Sequence, residues 1–94
     1  MSYSSISLWD VTDWSDSMES LAREKFVPMI ISAGADRVQM IRTGDRSFCV
    51  VTEYADAQAA EKAQERIAEI RTGAAEDLPM TMASVSAGVV FANG

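Results

Sequence analysis

Apolar and polar side chains alternate over residues 3–11, which is typical of a strand with two different faces. Successive side chains of a strand point to opposite sides, so Ile6 and Leu8 share one side, and Trp9 and Val11 share the other. The residue types in this segment also favour strand structure. The alternation therefore predicts a first strand.

A helical pattern follows over residues 16–33, where apolar residues recur three and four positions apart. The polar segment 13–16 contains N-cap candidates with acidic side chains, which the positive end of the helix dipole favours. Gly34 suits the left-handed position that ends a helix. Pro28 cannot donate a backbone hydrogen bond, so we expect a kink or a break near residues 26 and 27.

Two more strands are predicted in the middle of the chain, over residues 37–42 and 47–54. Gly44 and Asp45 between them favour a tight turn, so the two strands should form a β-hairpin.

A second helix and a final strand complete the predicted elements. Asp56 is a candidate N-cap for a helix that runs to about Arg71, with Gly73 expected to end it. A short extra helical turn is expected within residues 74–83, and the alternation over residues 84–91 predicts the last strand.

The order β-α-β-β-α-β predicts an α+β, ferredoxin-like fold, with a four-stranded antiparallel sheet and both helices on one face. The other face would carry apolar side chains without a cover, which predicts that two sheets pack together in a homodimer. The set expected on the open face is Trp9, Val11, Cys49, Val51 and Val90, and the set expected towards the helices is Ile6, Leu8, Phe48, Val50, Val85 and Val89.

Composition narrows the possible functions and partners. A length of 94 residues fits a single domain over residues 1–94. The 14 acidic against 8 basic residues disfavour binding to nucleic acid or to an anionic membrane surface. No apolar run is long enough to span a membrane and the first residues lack signal-peptide features, so we expect a cytoplasmic protein. One cysteine and no histidine exclude an internal disulfide and an imidazole metal site, which leaves self-association as the plausible way to stabilise so small a core.

The chain resembles the dimeric α/β-barrel proteins, typified by antibiotic biosynthesis monooxygenases and stress-responsive barrel proteins. The resemblance is carried by Ile6-Ser7-Leu8-Trp9-Asp10, the hairpin from Val38 to Tyr54 and the closing strand from Val85 to Phe91. It covers nearly the whole chain and concerns element order, length and spacing. It implies a dimeric α/β barrel in which two sheets pack face to face. Members range from cofactor-independent oxygenases and haem-degrading enzymes to proteins with no known activity, and the haem-binding branch uses a histidine that this chain lacks.

Four residues are candidates for ligand binding. Trp9 and Trp14 flank the end of the first strand, and Tyr54 ends the third, so these rings are placed to line a small-molecule pocket. Arg42, and as an alternative Arg37, lies on the second strand and could hold an anionic group through its forked donors. Core packing of the rings and solvation of the arginines are the competing interpretations.

The sequence gives less support to a metal site or to a nucleophilic side chain. Acidic residues recur every three positions at Asp10, Asp13, Asp16 and Glu19, but they do not share a helical face and their spacing is not that of a calcium loop, so helix capping explains them better. Cys49 has no adjacent basic residue to activate it and is expected to pack as a small apolar group. We expect no cofactor and no metal, and we assign no catalytic residue.

Two functions follow. The preferred one is a non-enzymatic homodimer that binds a small, partly apolar molecule in the barrel cavity. The alternative, implied by the resemblance, is a cofactor-independent monooxygenase of the antibiotic biosynthesis type, in which Trp9, Trp14 or Tyr54 orients an oxidisable aromatic substrate. RNA-recognition domains share the element order, but Val50 and Glu53 stand where their third-strand motif places aromatic rings.

Overall fold

The computed structural model describes all 94 residues and shows the predicted order of strands and helices. The elements are β1 (Tyr3–Val11), α1 (Asp16–Leu21), a π-helical segment (Ala22–Phe26), α2 (Val27–Ser32), β2 (Arg37–Gly44), β3 (Ser47–Tyr54), α3 (Ala57–Asp77) and β4 (Met80–Val89). The strands form one antiparallel sheet in the order β2-β3-β1-β4. α2 packs on β2, and α3 packs on β4, β1 and β3, so the predicted ferredoxin-like α+β fold is confirmed.

The first helical region begins at Ser15, whose hydroxyl accepts the Met18 backbone N–H at 3.1 Å. α1, the π-helical segment and α2 follow one another without leaving helical backbone angles. The Val27 N–H reaches back to the carbonyl of Ala22, five residues earlier. The disruption expected before Pro28 is therefore a π-helical segment, and the chain stays helical through the proline. Gly34 has φ +123°, as expected for the residue that ends the helix.

The second helix is longer than predicted. Asp56 is its N-cap, as expected, and accepts the Ala59 N–H at 2.7 Å. Gly73 does not end the helix, because α3 continues to Asp77 and its following turn buries Ala74 in the core. Glycine costs a helix only about 1 kcal/mol relative to alanine, which the packing of that extra turn outweighs.

The extra helical turn expected after residue 73 is therefore the end of α3 itself. β4 also begins earlier than predicted, at Met80, because Met80 pairs with Val11 at the end of β1. It ends at Val89 rather than at residue 91.

The register of the sheet decides which side chains face the helices, because residues opposite one another on adjacent strands share a face. Ile6 and Val51 are opposite one another on the open face, Leu8 and Cys49 likewise, and Trp9 and Phe48 are opposite one another on the helix-covered face. The faces predicted for β3 are confirmed, and those predicted for β1 are wrong. Ile6 and Leu8 are 45% and 46% exposed, whereas Trp9 and Val11 are 5% and 4% exposed.

The edge strand β4 behaves differently from the central strands. Val85 and Val89 are opposite Ser7 and Tyr3, so they lie on the helix-covered side as predicted. They nevertheless stay 45% and 52% exposed, because β4 is at the edge of the sheet and α3 covers it only in part. No helix is both long enough and apolar enough to cross a lipid bilayer.

Candidate functional site

A cavity of about 410 Å³ lies between the sheet and the helices, and we call it the main cavity because 21 residues line it, against 12 for the second cavity described below. Fifteen of its 21 lining residues are hydrophobic. The lining includes three aromatic residues and three arginines: Trp9, Trp14, Phe48, Arg23, Arg42 and Arg71. Its volume and its mixture of many apolar and few polar groups are those of a small-molecule site.

Three aromatic rings form one wall of this cavity. The Trp9 and Phe48 rings are nearly parallel, at 8°, with centroids 6.0 Å apart, and Trp14 meets Phe48 edge-on at 6.0 Å and 79°. Trp9 Nε1 donates to Ser7 Oγ at 2.8 Å, and Trp14 Nε1 donates to Glu19 Oε2 at 2.7 Å. Both indole N–H groups are thus already satisfied, and the wall offers a ligand mainly apolar ring surface.

Arg42 extends the aromatic wall at the end of β2. Its guanidinium carbon lies 4.2 Å from the centroid of the Trp14 ring, within the range of a cation–π interaction. Its Nε donates to the Gly44 carbonyl at 3.1 Å and its Nη2 to the Asp45 carbonyl at 2.9 Å. The hairpin turn and the indole ring together hold the guanidinium in one orientation, with donors left over for a ligand.

Tyr54 does not line the main cavity. It lines a second cavity of about 520 Å³, together with residues that include Tyr3, Ser5 and Val85. Ile67 and Arg71 of α3 border both cavities, so the two are neighbours. The structure thus places Trp9, Trp14 and Arg42 around one cavity and Tyr54, 3% exposed, in the adjoining core.

Burial raises the pKa of the Tyr54 phenol above its usual 10.0, and the positive charge of Arg71 offsets part of that rise. The unfolded chain therefore ionises this tyrosine at a lower pH than the folded chain does. Its contribution to stability is complete below pH 10.0 and is lost as pH rises towards the folded-state pKa. We expect Tyr54→Phe to remove this loss, measured as the free energy of unfolding by urea at about pH 9 and about pH 10.5.

Wild type should lose more stability between those two pH values than Tyr54→Phe does. Tyr3→Phe is the matched control, because it removes a phenol that is less buried. Equal losses in wild type and Tyr54→Phe would show that burial does not hold the Tyr54 phenol in its neutral form.

Two arginines that line the main cavity were not predicted from the sequence. Arg71 lies on α3 four residues after Ile67, and Arg23 lies in the π-helical segment three residues before Phe26. These spacings place each arginine on the same helical face as a buried apolar residue, and that was the signal in the sequence. Arg37, the alternative to Arg42, is opposite Glu53 on the other side of the sheet and takes no part in the cavity.

Two of the acidic residues near the first helix have local structural roles. Asp16 lies in the first turn of α1, and Glu19 accepts the Trp14 indole N–H. The structure brings no three carboxylate or thiol groups together as metal ligands. Cys49 lies on the open face, on the opposite side of the sheet from the main cavity.

The fold defines a class, since solved structures of dimeric ferredoxin-like proteins share it over their whole length. One of them, from an uncultured marine organism, is 17% identical, with a TM-score of 0.69 over 100% of this chain and 98% of that one. The ferredoxin-like fold of the subunit, which the resemblance to dimeric α/β-barrel proteins implies, is therefore confirmed.

Two particular proteins superpose with a TM-score of 0.75. They are a single-residue mutant of SnoaB from Streptomyces nogalater, a cofactor-independent oxygenase, at 14% identity, and HapK from Hahella chejuensis, at 13% identity. Each match covers 98% of this chain and 95% of the other. At these identities the likeness establishes the fold alone. No protein-family model matches the chain, and no curated protein matches it.

Proposed function

We propose that this protein is a homodimer that binds one small, partly apolar aromatic molecule in the main cavity of each subunit. The observation that carries the proposal is the ordered aromatic wall of Trp9, Phe48 and Trp14 beside about 410 Å³ of space. The space is partly open to solvent and lined mainly by apolar side chains with a few polar groups, which is the arrangement of small-molecule sites. The sequence placed the ligand in the barrel cavity, and the site proposed here lies on the helix-covered side of the sheet instead.

Binding of an aromatic molecule is tested with N-phenyl-1-naphthylamine, a neutral probe that fluoresces in apolar surroundings. We expect a saturable increase in emission with one probe per chain. Trp14→Ala should weaken binding about tenfold, because it removes one ring of the wall and the contact that holds Arg42. Trp14 is only half-buried, so the variant should still fold.

Ile31→Ala is the matched control, because Ile31 is 42% exposed and does not line the main cavity. Its affinity for the probe should equal that of wild type. If Trp14→Ala bound the probe as tightly as Ile31→Ala does, the aromatic wall would not be the binding surface.

The proposed dimer rests on the open face of the sheet. Ile6, Leu8 and Ile41 are each 45–46% exposed there and flank Val51 and Cys49 of the central strand β3. The chain exposes 5946 Å² in all, against about 5,300 Å² expected for a globular monomer of its mass. The excess is of the order that one partner buries in a stable interface, about 800 Å². Dimeric neighbours of the same fold point to a second copy of this chain as the cover.

A cofactor-independent oxygenase is the second candidate, favoured by the fold shared with SnoaB over 98% of the chain. In such an enzyme the substrate itself supplies the electrons that reduce one oxygen atom to water. With 1,5-dihydroxynaphthalene, an activated phenol, an enzyme would consume oxygen faster than the uncatalysed reaction and Trp14→Ala would abolish the excess. A binding protein would leave the oxygen electrode trace unchanged. The cytoplasmic location stays a prediction of the sequence.

A further inference from the structure

We infer that the ligand of the main cavity carries an acidic group, so that the site selects aromatic anions over neutral molecules of the same shape. The inference rests on the proposed function and concerns the charge of the ligand. It is drawn from three arginines that border one cavity from three different elements: Arg23 in the π-helical segment, Arg42 on β2 and Arg71 on α3.

The charge of the cavity is opposite to that of the chain. The protein carries a net charge of −6, yet the cavity is bordered by three guanidinium groups and one carboxylate, Glu19. That carboxylate is engaged by the Trp14 indole N–H. The three positive charges attract negative ligands; Arg71 is half-buried, whereas Arg23 and Arg42 are exposed, so salt screens part of this attraction.

None of the three arginines is neutralised within the protein. The two salt bridges of the chain are Lys25–Asp77 and Arg66–Glu69, and neither involves a cavity residue. Unpaired guanidinium groups beside an apolar cavity are the arrangement that binds a carboxylate through paired N–H donors.

Arg42 is the best placed of the three arginines to bind an acidic group of the ligand. Two of its five N–H donors are used by the Gly44 and Asp45 carbonyls, and its plane is held over Trp14. The Arg42 guanidinium that carries the remaining donors is already held in one orientation, so less conformational entropy is lost when a ligand binds. Since Arg42 and the aromatic wall are in contact, a ligand that packs on the rings has its acidic group within reach of a cation.

The test compares two probes with the same rings and different charge. 8-Anilinonaphthalene-1-sulfonate is N-phenyl-1-naphthylamine with an added sulfonate, so the difference between their affinities isolates the negative charge. We expect wild type to bind the sulfonate about tenfold more tightly than the neutral probe, despite the net negative charge of the chain. The preference should shrink as sodium chloride is raised.

The double variant Arg23→Gln/Arg71→Gln should lose part of this preference, and the triple variant that adds Arg42→Gln should lose the rest, measured as the ratio of the two affinities. The double variant leaves the Arg42–Trp14 contact and the aromatic wall intact. Arg66→Gln is the matched control, because it removes an exposed arginine of α3 that does not line the cavity. Ala22→Phe, which fills the cavity from the π-helical segment, should abolish binding of both probes and so locate them.

The possible results separate this inference from the proposed function. Equal affinities for the two probes in wild type, or a preference that survives in the triple variant, would overturn the inference and leave aromatic binding standing. Binding that persists in Ala22→Phe would place the probes outside the main cavity and overturn both. Failure of wild type to bind either probe would overturn the proposed function, and the inference with it.

Discussion

Val51→Glu should convert the proposed dimer to a monomer. Val51 lies in the middle of the open face, opposite Ile6 on β1 and Gln39 on β2. A symmetric interface contains every substitution twice, so two carboxylates would lose their water together. The penalty of burying an unpaired charge is several kcal/mol per ion, enough to cancel the association energy of an interface of standard size. Sedimentation or light scattering on purified protein measures the change directly.

Gln58→Glu is the matched control, since it adds the same charge at an exposed position in the first turn of α3. This variant should remain a dimer. A dimeric Val51→Glu variant with wild-type thermal stability would show that the interface lies elsewhere on the molecule. A monomeric wild type at micromolar concentration would remove the dimer from the proposed function.

The only cysteine provides a second measurement in case the monomer is too unstable to isolate. Cys49 lies on the same face as Val51, opposite Leu8 and Ile41. If two sheets pack together there, the thiol of wild type should react slowly with a disulfide reagent, and dilution to the monomer should speed the reaction. A rate that does not change with protein concentration would contradict the proposed interface.

The element order was predictable because each segment carries its own periodicity and its own caps. Ser15, Gly34 and Asp56 act locally, and the structure uses all three at helix ends. The end of α3 was not predictable in the same way. Gly73 favours a helix end on local grounds, but burial of Ala74 depends on residues distant along the chain.

The side of β1 that faces the helices could not be predicted from the sequence of that strand alone. The alternation correctly predicted that Trp9 and Val11 lie on the other side of the strand from Ile6 and Leu8. It could not predict which pair faces the helices. That choice depends on the register with β3, some 40 residues away, and the buried side of β1 also carries the polar Ser5 and Ser7. The alternation within β1 alone therefore carries no signal for the choice of face.

The candidate site was predictable in part, for a related reason. Trp9, Trp14 and Arg42 come from three separate segments of the first half of the chain and meet around one cavity. Their residue types suggested ligand binding, but only packing against the helices brings in Arg23 and Arg71. Tyr54 has the same chemical character as the tryptophans, yet its place on β3 puts it in the second cavity.

Phe48→Ala should cost most of the stability of the protein. Phe48 is 7% exposed and is the ring against which both Trp9 and Trp14 pack. Truncation of a buried phenylalanine costs about 3–5 kcal/mol, and the lost ring pairs add to this. A domain of this size has about 5–14 kcal/mol in total, so this is a large part of it and the melting temperature should fall by about 15 °C or more. Differential scanning calorimetry or urea unfolding at neutral pH checks the loss.

Phe48→Leu is the control that separates the effect of the aromatic ring from the effect of losing apolar volume. It keeps an apolar side chain at the centre of the wall and should cost less than half as much as Phe48→Ala. Equal costs for the two variants would show that the aromatic contacts with Trp9 and Trp14 contribute specifically. A cost below about 1 kcal/mol for Phe48→Ala would show instead that the wall is not part of the core. Because Phe48 also lines the main cavity, Phe48→Leu should weaken binding of N-phenyl-1-naphthylamine while the protein stays folded.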